Sequence, residues 1–209
     1  MDYEKSVHCE QKKEKCKLIV LTGGPGAGKT AVLELARRTF SDHITVLPEA
    51  ASIIFSGGFI RKETVPGKKA AQRAIYHVQK ELELLTLEED LSIVALCDRG
   101  TLDGLAYWPV EEESFFTELN TNQSLEISRY HAVIHLRTPS VIGGYNYNNP
   151  VRIETAAEAS MIDEKILKVW KDHPRRFIVE STDNFIEKSH KVINLIQTEL
   201  SLICKNPNK

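Results

Sequence analysis

Eight residues, Gly23-Gly24-Pro25-Gly26-Ala27-Gly28-Lys29-Thr30, stand between the apolar run KLIVLT and a segment with helical spacing. They match the pattern GxxxxGK[ST], which gains its meaning from a strand before it and a helix after it. Glycines let backbone N–H groups turn inward, and a helix start adds positive potential for phosphate. A lysine there puts a cation beside β- and γ-phosphates, and the following hydroxyl suits a magnesium ion. Gly23, Gly24, Pro25, Gly26, Ala27, Gly28, Lys29, Thr30 and Ala31 are therefore the expected nucleotide-binding residues. Lys29 is also expected to act in catalysis and to be exposed while the loop is empty, and Thr30 to hold the metal. The motif specifies phosphate binding and no particular reaction.

The stretch IVALCDRG supplies the next chemical groups. An apolar run ends in Asp98, where a strand can hand a carboxylate to the same metal. Asp98 can also cap a helix beginning near Thr101, and the two roles are compatible. Arg99 follows, where many water-activating ATPases carry a glutamate. Arginine stays protonated and cannot be a base. It either contacts transferring or accepting phosphate or pairs with a carboxylate nearby. The carboxylate best placed to replace the missing base is Glu49, after Pro48 at the end of the second apolar run. In a parallel sheet the strand carboxyl ends share the edge that carries the phosphate loop. Glu49 can accept a proton there from an acceptor hydroxyl; the alternative is a carboxylate facing its own helix dipole.

Five short apolar runs must carry these groups: KLIVLT, ITVL, SIVALCD, HAVIHLR and RFIVE. Helical spacing lies between them, longest over Lys68 to Glu89, where Ala71, Ala74, Ile75, Val78, Leu82 and Leu85 form an apolar stripe. Opposite that stripe lie Gln72, Tyr76, Gln79 and Glu83, either contacts for an acceptor or a solvated face. Thr155 to Glu158 has capping-box spacing, and Asp183 is the expected cap of a last helix with stripe Val192, Ile196, Leu200 and Ile203. The loops SGGFIRKETVPG and VIGGYNYNNPVR are too rich in glycine, proline or asparagine for regular structure. The second of them is expected to be mobile without nucleotide and closed with it. This alternation predicts a three-layer α/β fold, a five-stranded parallel sheet with helices on both faces. The expected organisation is a flexible polar tail over 1–16 and one domain over 17–209.

The set GGPGAGKT, LPEAAS and CDRG resembles the nucleoside-kinase-like P-loop NTPases. It is closer still to the ribosylnicotinamide kinase domain and its sister family of AAA-domain ATP-binding proteins. DRGTLDGLAYWP, NNPVRIETAAEA and IDEKILKVWKDHPRRFIVE extend the resemblance from Lys17 to near Ile196. The resemblance implies a nucleoside/nucleotide-kinase-like fold, ATP and Mg2+ as cofactors, Glu49 toward the acceptor, Asp98 toward the metal, and Arg152 as a lid arginine closing over ATP. It places Asp103 and Tyr107 in the family signature without a derivable role, so Asp103 joins Glu49, Tyr76 and Gln79 as a substrate candidate. The acceptor region IFSGGFIRKETVPG departs from the ribosylnicotinamide kinases, and that substrate is not carried over.

The rest of the sequence mostly excludes. With 209 residues, 27% charged and a net charge of −2, the chain has no electrostatic footprint for nucleic acid. No apolar segment reaches ~18 residues, so no membrane span is expected. The four cysteines form no CxxC pair, and a reduced, cytoplasmic protein without structural disulfide or zinc is expected. His131 and His135, flanking a strand run, read as structural; Tyr145 and Tyr147 either stack on a ring or lie on the surface. Ser181 and Thr182 either pass the adenine or cap a helix. No stretch like NKxD supports guanine, and GTP is not excluded. The expected function is a small-molecule kinase with a nucleoside-like hydroxyl acceptor, acting as a monomer or homodimer. A nucleotide-dependent switch without an acceptor is the alternative.

Overall fold

Ile19 and Leu21 face one side of the first strand, Leu18 and Val20 the other, and all four are buried. A strand apolar on both faces has to be covered on both faces, as in the interior of a parallel sheet. The computed structural model describes residues 15–89, 92–139, 155–182 and 184–205. Within them one sheet contains β1 (Lys17–Thr22), β2 (Ile44–Leu47), β3 (Val94–Asp98), β4 (Ala132–Leu136) and β5 (Arg176–Val179). The strands are all parallel, in the order β2-β3-β1-β4-β5. Leu21 pairs in register with Asp98 on one side and Ile134 on the other, so three central strands end level.

Two apolar layers hold the sheet. On one face, α1 (Lys29–Thr39) and α7 (Phe185–Lys205) press Val32, Ala36, Val192 and Ile196 onto Ile19, Leu21 and Leu96. The other face is covered by α3 (Val65–Glu89), a 3₁₀ helix (Thr101–Tyr107), α4 (Glu112–Glu118), α5 (Gln123–Ser128) and α6 (Ala156–Val169). There Leu102, Phe115, Ile166 and Trp170 meet Leu18, Val20 and Cys97. A short α2 (Ala50–Ser56) follows β2. Among the described residues, no helix is long and apolar enough to cross a membrane.

The capping box at Thr155 is present: Glu158 N donates to Thr155 Oγ1 at 3.3 Å, and Thr155 N donates to Glu158 Oε2 at 2.7 Å. Asp183 lies outside the described residues, as do residues 1–14 of the expected tail and the loop residues 141–152. Ile186 N donates to Asn184 Oδ1 at 3.0 Å, which supplies a cap to α7. Cys16, assigned to the tail, is instead buried in the second layer.

Two expectations about α3 are corrected. It begins at Val65, because Pro66 fits a first helical turn whose N–H groups lack partners anyway. Its buried residues are Ala71, Tyr76, Gln79, Glu83 and Thr86, whereas Leu85 is 53% exposed. The inner side therefore carries Tyr76, Gln79, Glu83 and Thr86 beside Ala71 and half-buried Leu82 of the apolar stripe, since it meets a buried polar cluster. Glu83 accepts from Gln79 Nε2 (2.8 Å), Tyr130 OH (2.9 Å) and Arg129. Glu126 accepts from Tyr76 OH (2.6 Å), Thr101 Oγ1 and Thr121 Oγ1 (both 2.7 Å) and Arg129 (3.0 Å). Burial pushes the Glu83 carboxyl up and Arg129 pulls it back; burial and the bond to Glu126 push the Tyr76 phenol up, so it remains a donor.

Glu126→Gln keeps the volume but cannot accept four donors. Breaking such a buried charge cluster costs about 3–5 kcal/mol, an expected fall in Tm of ~6–20 °C for a chain of this size. Glu118→Gln, at the exposed pair with Lys69 and Arg73, should leave Tm unchanged in the same melting experiment.

Candidate functional site

At the end of β1 the chain must turn sharply, and Gly23, Gly26 and Gly28 take φ of 135°, 81° and 91°. A Cβ at Gly23 would stand 2.0 Å from Leu136 O, so the loop needs glycine to pass β4. Gly28 is the N-cap of α1 and offers no side-chain cap. The amides of Lys29, Thr30 and Ala31 therefore begin a helix without intrahelical acceptors, the arrangement that binds anions.

Lys29 is buried, not exposed. Its Nζ donates to Gly23 O at 2.9 Å and Gly24 O at 3.0 Å, folding the side chain back over the loop. Burial lowers its ammonium to about 8, and the neighbouring Arg99 adds to the shift. Lys29 must leave these carbonyls to meet a phosphate, which makes it a cation held in reserve.

Asp98 closes β3, and its Oδ1 is buried without a hydrogen-bond partner among the described residues. Burial pushes its carboxyl up to about 6. An orphaned buried oxygen is costly unless a donor or a cation completes it. The N-cap of the 3₁₀ helix is Gly100, so Asp98 is not the cap. Exposed Thr30 lines the same cavity, and the two residues fit a divalent cation. No group of three His, Cys, Asp or Glu among the described residues forms a metal cage. A cation there would take its remaining ligands from phosphate and water.

Arg99 adopts φ 76°, a left-handed conformation that is unusual for a side chain of this size. The turn is fixed by Arg99 N donating to Leu21 O at 3.1 Å. It sends the guanidinium back across the loop, where Nε donates to Glu49 Oε1 at 2.6 Å and NH1 to Gly23 O at 3.2 Å. Asp103 Oδ2 is 3.5 Å from NH1. Of the two roles open to Arg99, pairing with a carboxylate is the one the geometry realises.

Glu49 is the N-cap residue of α2 but makes no side-chain cap bond, so it does not serve its own helix that way. Its Oε2 accepts from Ser52 Oγ at 2.5 Å. Burial alone would raise the carboxyl; Arg99 and Ser52 override it and hold it at about 2. The result is a fixed, ionised acceptor on the cavity wall. Asp103 is fully engaged, taking Thr22 Oγ1 at 2.5 Å and Trp170 Nε1 at 2.6 Å. Its two oxygens tie the 3₁₀ helix to the end of β1 and to Trp170, the C-cap of α6. Tyr76 and Gln79 line the cavity, but their OH and Nε2 are given to Glu126 and Glu83.

These groups surround a cavity of about 900 Å³. Its wall includes Pro25, Lys29, Thr30, Glu49 and Arg99 as well as Phe55, Gln72, Tyr107 and Trp108. That is the upper end of the ~300–1,000 Å³ typical of small-molecule pockets, enough for more than a triphosphate tail. Arg152, Tyr145 and Tyr147 lie outside the described residues.

Three residues that no motif announces hold the phosphate loop from behind. Gly24 N donates to Asp163 Oδ1 at 2.8 Å, and Thr138 Oγ1 donates to Pro25 O at 3.2 Å. Lys188 Nζ donates to Ala27 O at 2.9 Å. The available signal was a charge on an apolar stripe: Asp163 stands one turn after Ala159, and Lys188 one turn before Val192. The two histidines are structural, His131 on Glu199 at 3.1 Å and His135 on Asp163 at 2.9 Å.

A sequence model of the family described as an AAA domain matches residues 18–188. No curated protein matches the sequence. Among solved structures, thymidylate kinase from Candida albicans superposes with a TM-score of 0.62 at 13% identity, covering 90% of this chain and 93% of that one. At that identity the likeness is one of fold.

Lys29→Met retains the apolar stem and removes the charge. Hydrogen bonds to charged groups contribute ~1.5–3 kcal/mol, so triphosphate affinity should fall about 10–150-fold by calorimetry. Tm at pH 7 should hold or rise, because the buried ammonium is disfavoured in the fold. The sign follows from linkage: with folded Lys29 at about 8 against its ordinary 10.5, the unfolded chain binds the extra proton between these values. The stability of the empty wild-type protein should therefore gain a rising contribution from Lys29 across that pH window, and Lys29→Met should lose it.

Proposed function

The chain belongs to this AAA-domain family, and from that premise we propose that it is a small-molecule kinase using ATP and magnesium on the hydroxyl of a nucleoside-like acceptor. The observation that carries the reading is the place of Glu49. It lines one cavity together with Lys29 and Thr30 of the phosphate loop and with Phe55, Gln72, Tyr107 and Trp108, fixed by Arg99 and Ser52. Aromatic walls with an amide suit a planar base, and a carboxylate in the same cavity suits the hydroxyl that receives the phosphoryl group.

In this reading the loop amides and the released Lys29 bind the β- and γ-phosphates. Asp98 and Thr30 would hold magnesium, which when bound neutralises phosphate charge. The acceptor oxygen forms its bond to the γ-phosphorus as the bond from that phosphorus to ADP breaks. Glu49 accepts the hydrogen bond of the acceptor hydroxyl and keeps it in line. As transfer proceeds it takes the hydroxyl proton, and with its carboxyl held at about 2 by Arg99 and Ser52 it then releases that proton to solvent. A loose phosphoryl-transfer transition state asks for positioning more than for a strong base. Arg152 is assigned to closing over ATP on the family resemblance alone.

The low Glu49 carboxyl also favours a second reading, a nucleotide-dependent switch in which the Glu49–Arg99 pair only braces the loop. A panel of nucleosides with ATP or GTP, scored for acceptor-dependent ADP or GDP release, separates the two. Glu49→Gln should leave ATP affinity within ~3-fold and cut acceptor-dependent turnover by ~10²–10⁴-fold. A flat panel with tight nucleotide binding would establish the switch. Full turnover in the glutamine variant would remove Glu49 from the reaction. Asp98→Asn should raise the magnesium concentration needed for half-maximal activity, with little change in metal-free nucleotide binding.

A further inference from the structure

Gly24 occupies a variable position of GxxxxGK[ST], where the motif itself asks for no glycine. The reason for glycine lies behind the loop. A Cβ at Gly24 would stand 2.5 Å from Thr138 Oγ1, 2.7 Å from Asp163 Cβ and 2.8 Å from Ala159 O. The loop is pressed onto the side of α6, and Gly24 N donates to Asp163 Oδ1 across that contact at 2.8 Å.

Asp163 is itself held from two more sides. His135 Nε2 lies 2.9 Å from the same Oδ1, while His135 Nδ1 is buried without a partner among the described residues. A proton on Nδ1 would be stranded, so Nε2 carries the hydrogen and donates to Asp163. Arg137 NH1 is 3.2 Å from Oδ2. Burial pulls the Asp163 carboxyl up, but the bonds from His135 and Gly24 hold it below the usual range. Along the same helix, Met161, Ile162 and Lys165 line the cavity. One helix thus touches both the cavity and the loop that would bind phosphate.

We infer that Asp163 is a positioning residue that sets the geometry of the phosphate loop through the Gly24 N–H, joining α6 to nucleotide affinity. This rests on the nucleotide-binding half of the proposed function and not on any acceptor. The bond fixes the direction of the peptide at the front of the loop. The amides that follow, from Gly26 to Thr30, are aimed from that fixed start.

Asp163→Ala, Asp163→Asn and Gly24→Ala test it, with Mg-ATP affinity by calorimetry and amide hydrogen exchange at Gly24 in the empty protein. Asn at 163 keeps an oxygen for Gly24 N–H but loses the charge. Gly24→Ala keeps Asp163 and pushes the loop off the helix. The expected result is a loss of ~10-fold or more in ATP affinity for both alanine variants, with less than ~3-fold for asparagine. Gly24 exchange should be faster in Asp163→Ala than in Asp163→Asn. A folded Asp163→Ala with wild-type affinity overturns the inference, as does an asparagine variant as weak as the alanine one. Should Asp163→Ala fail to fold, wild-type affinity in Gly24→Ala overturns it equally. If the wild type binds no ATP, the proposed function fails first, and Gly24 exchange still reads the bond.

Discussion

The Arg99 guanidinium is the contact on which the rest of the site depends. It joins Glu49 after β2, Gly23 after β1 and Asp103 on the 3₁₀ helix, so three segments at one sheet edge share a single cation. Reaching all of them requires the left-handed backbone at φ 76°. Such a conformation costs about 1–3 kcal/mol and persists only where its surroundings over-determine it. Here they do: the backbone is tied to Leu21 O and the side chain to carboxylates on both sides. A glutamate in that place would set three like charges, with Glu49 and Asp103, around one turn.

The same burial acts in opposite directions on Lys29 and Asp98, the two groups proposed to meet phosphate and cation. It lowers the Lys29 ammonium to about 8 and raises the Asp98 carboxyl to about 6, each displaced toward its neutral form. Among the described residues neither has an ion-pair partner in contact: Lys29 rests on backbone carbonyls and Asp98 Oδ1 accepts no hydrogen bond. A bound polyanion and its counter-cation would restore both. Glu49, by contrast, is already neutralised by Arg99 and changes least when the site fills.

What could be read in the sequence follows from which physics is local. GGPGAGKT was legible because only glycine tolerates those dihedrals, and the strands because both of their faces are apolar. The capping box at Thr155 needs residues only three apart. The inner face of α3 was not legible, since Tyr76, Gln79 and Glu83 are buried by partners at Glu126, Arg129 and Tyr130, far along the chain. Lys29 was expected to be exposed because its acceptors exist only once the loop has closed. Pairing by Arg99 was one of two open roles, decided by a backbone angle that residue types do not announce. Asp163 and Lys188 left one weak trace, a charge standing where an apolar stripe called for none.

β1 occupies the centre of the sheet, yet neither of its neighbours is the next strand in the chain. Lys17 pairs with Val94, and Ile19 with Ala132. During synthesis the run LIVLT therefore leaves the ribosome long before either side of it can be covered. At ~5–20 residues per second, the roughly seventy residues separating it from β3 take about 4–15 s to appear. Through that interval an apolar strand is an unpaired edge on both sides, the form most prone to join another chain. A central strand made first is thus an obligation on the cell's chaperones, incurred by the same topology that later lines up the loop, Glu49 and Asp98.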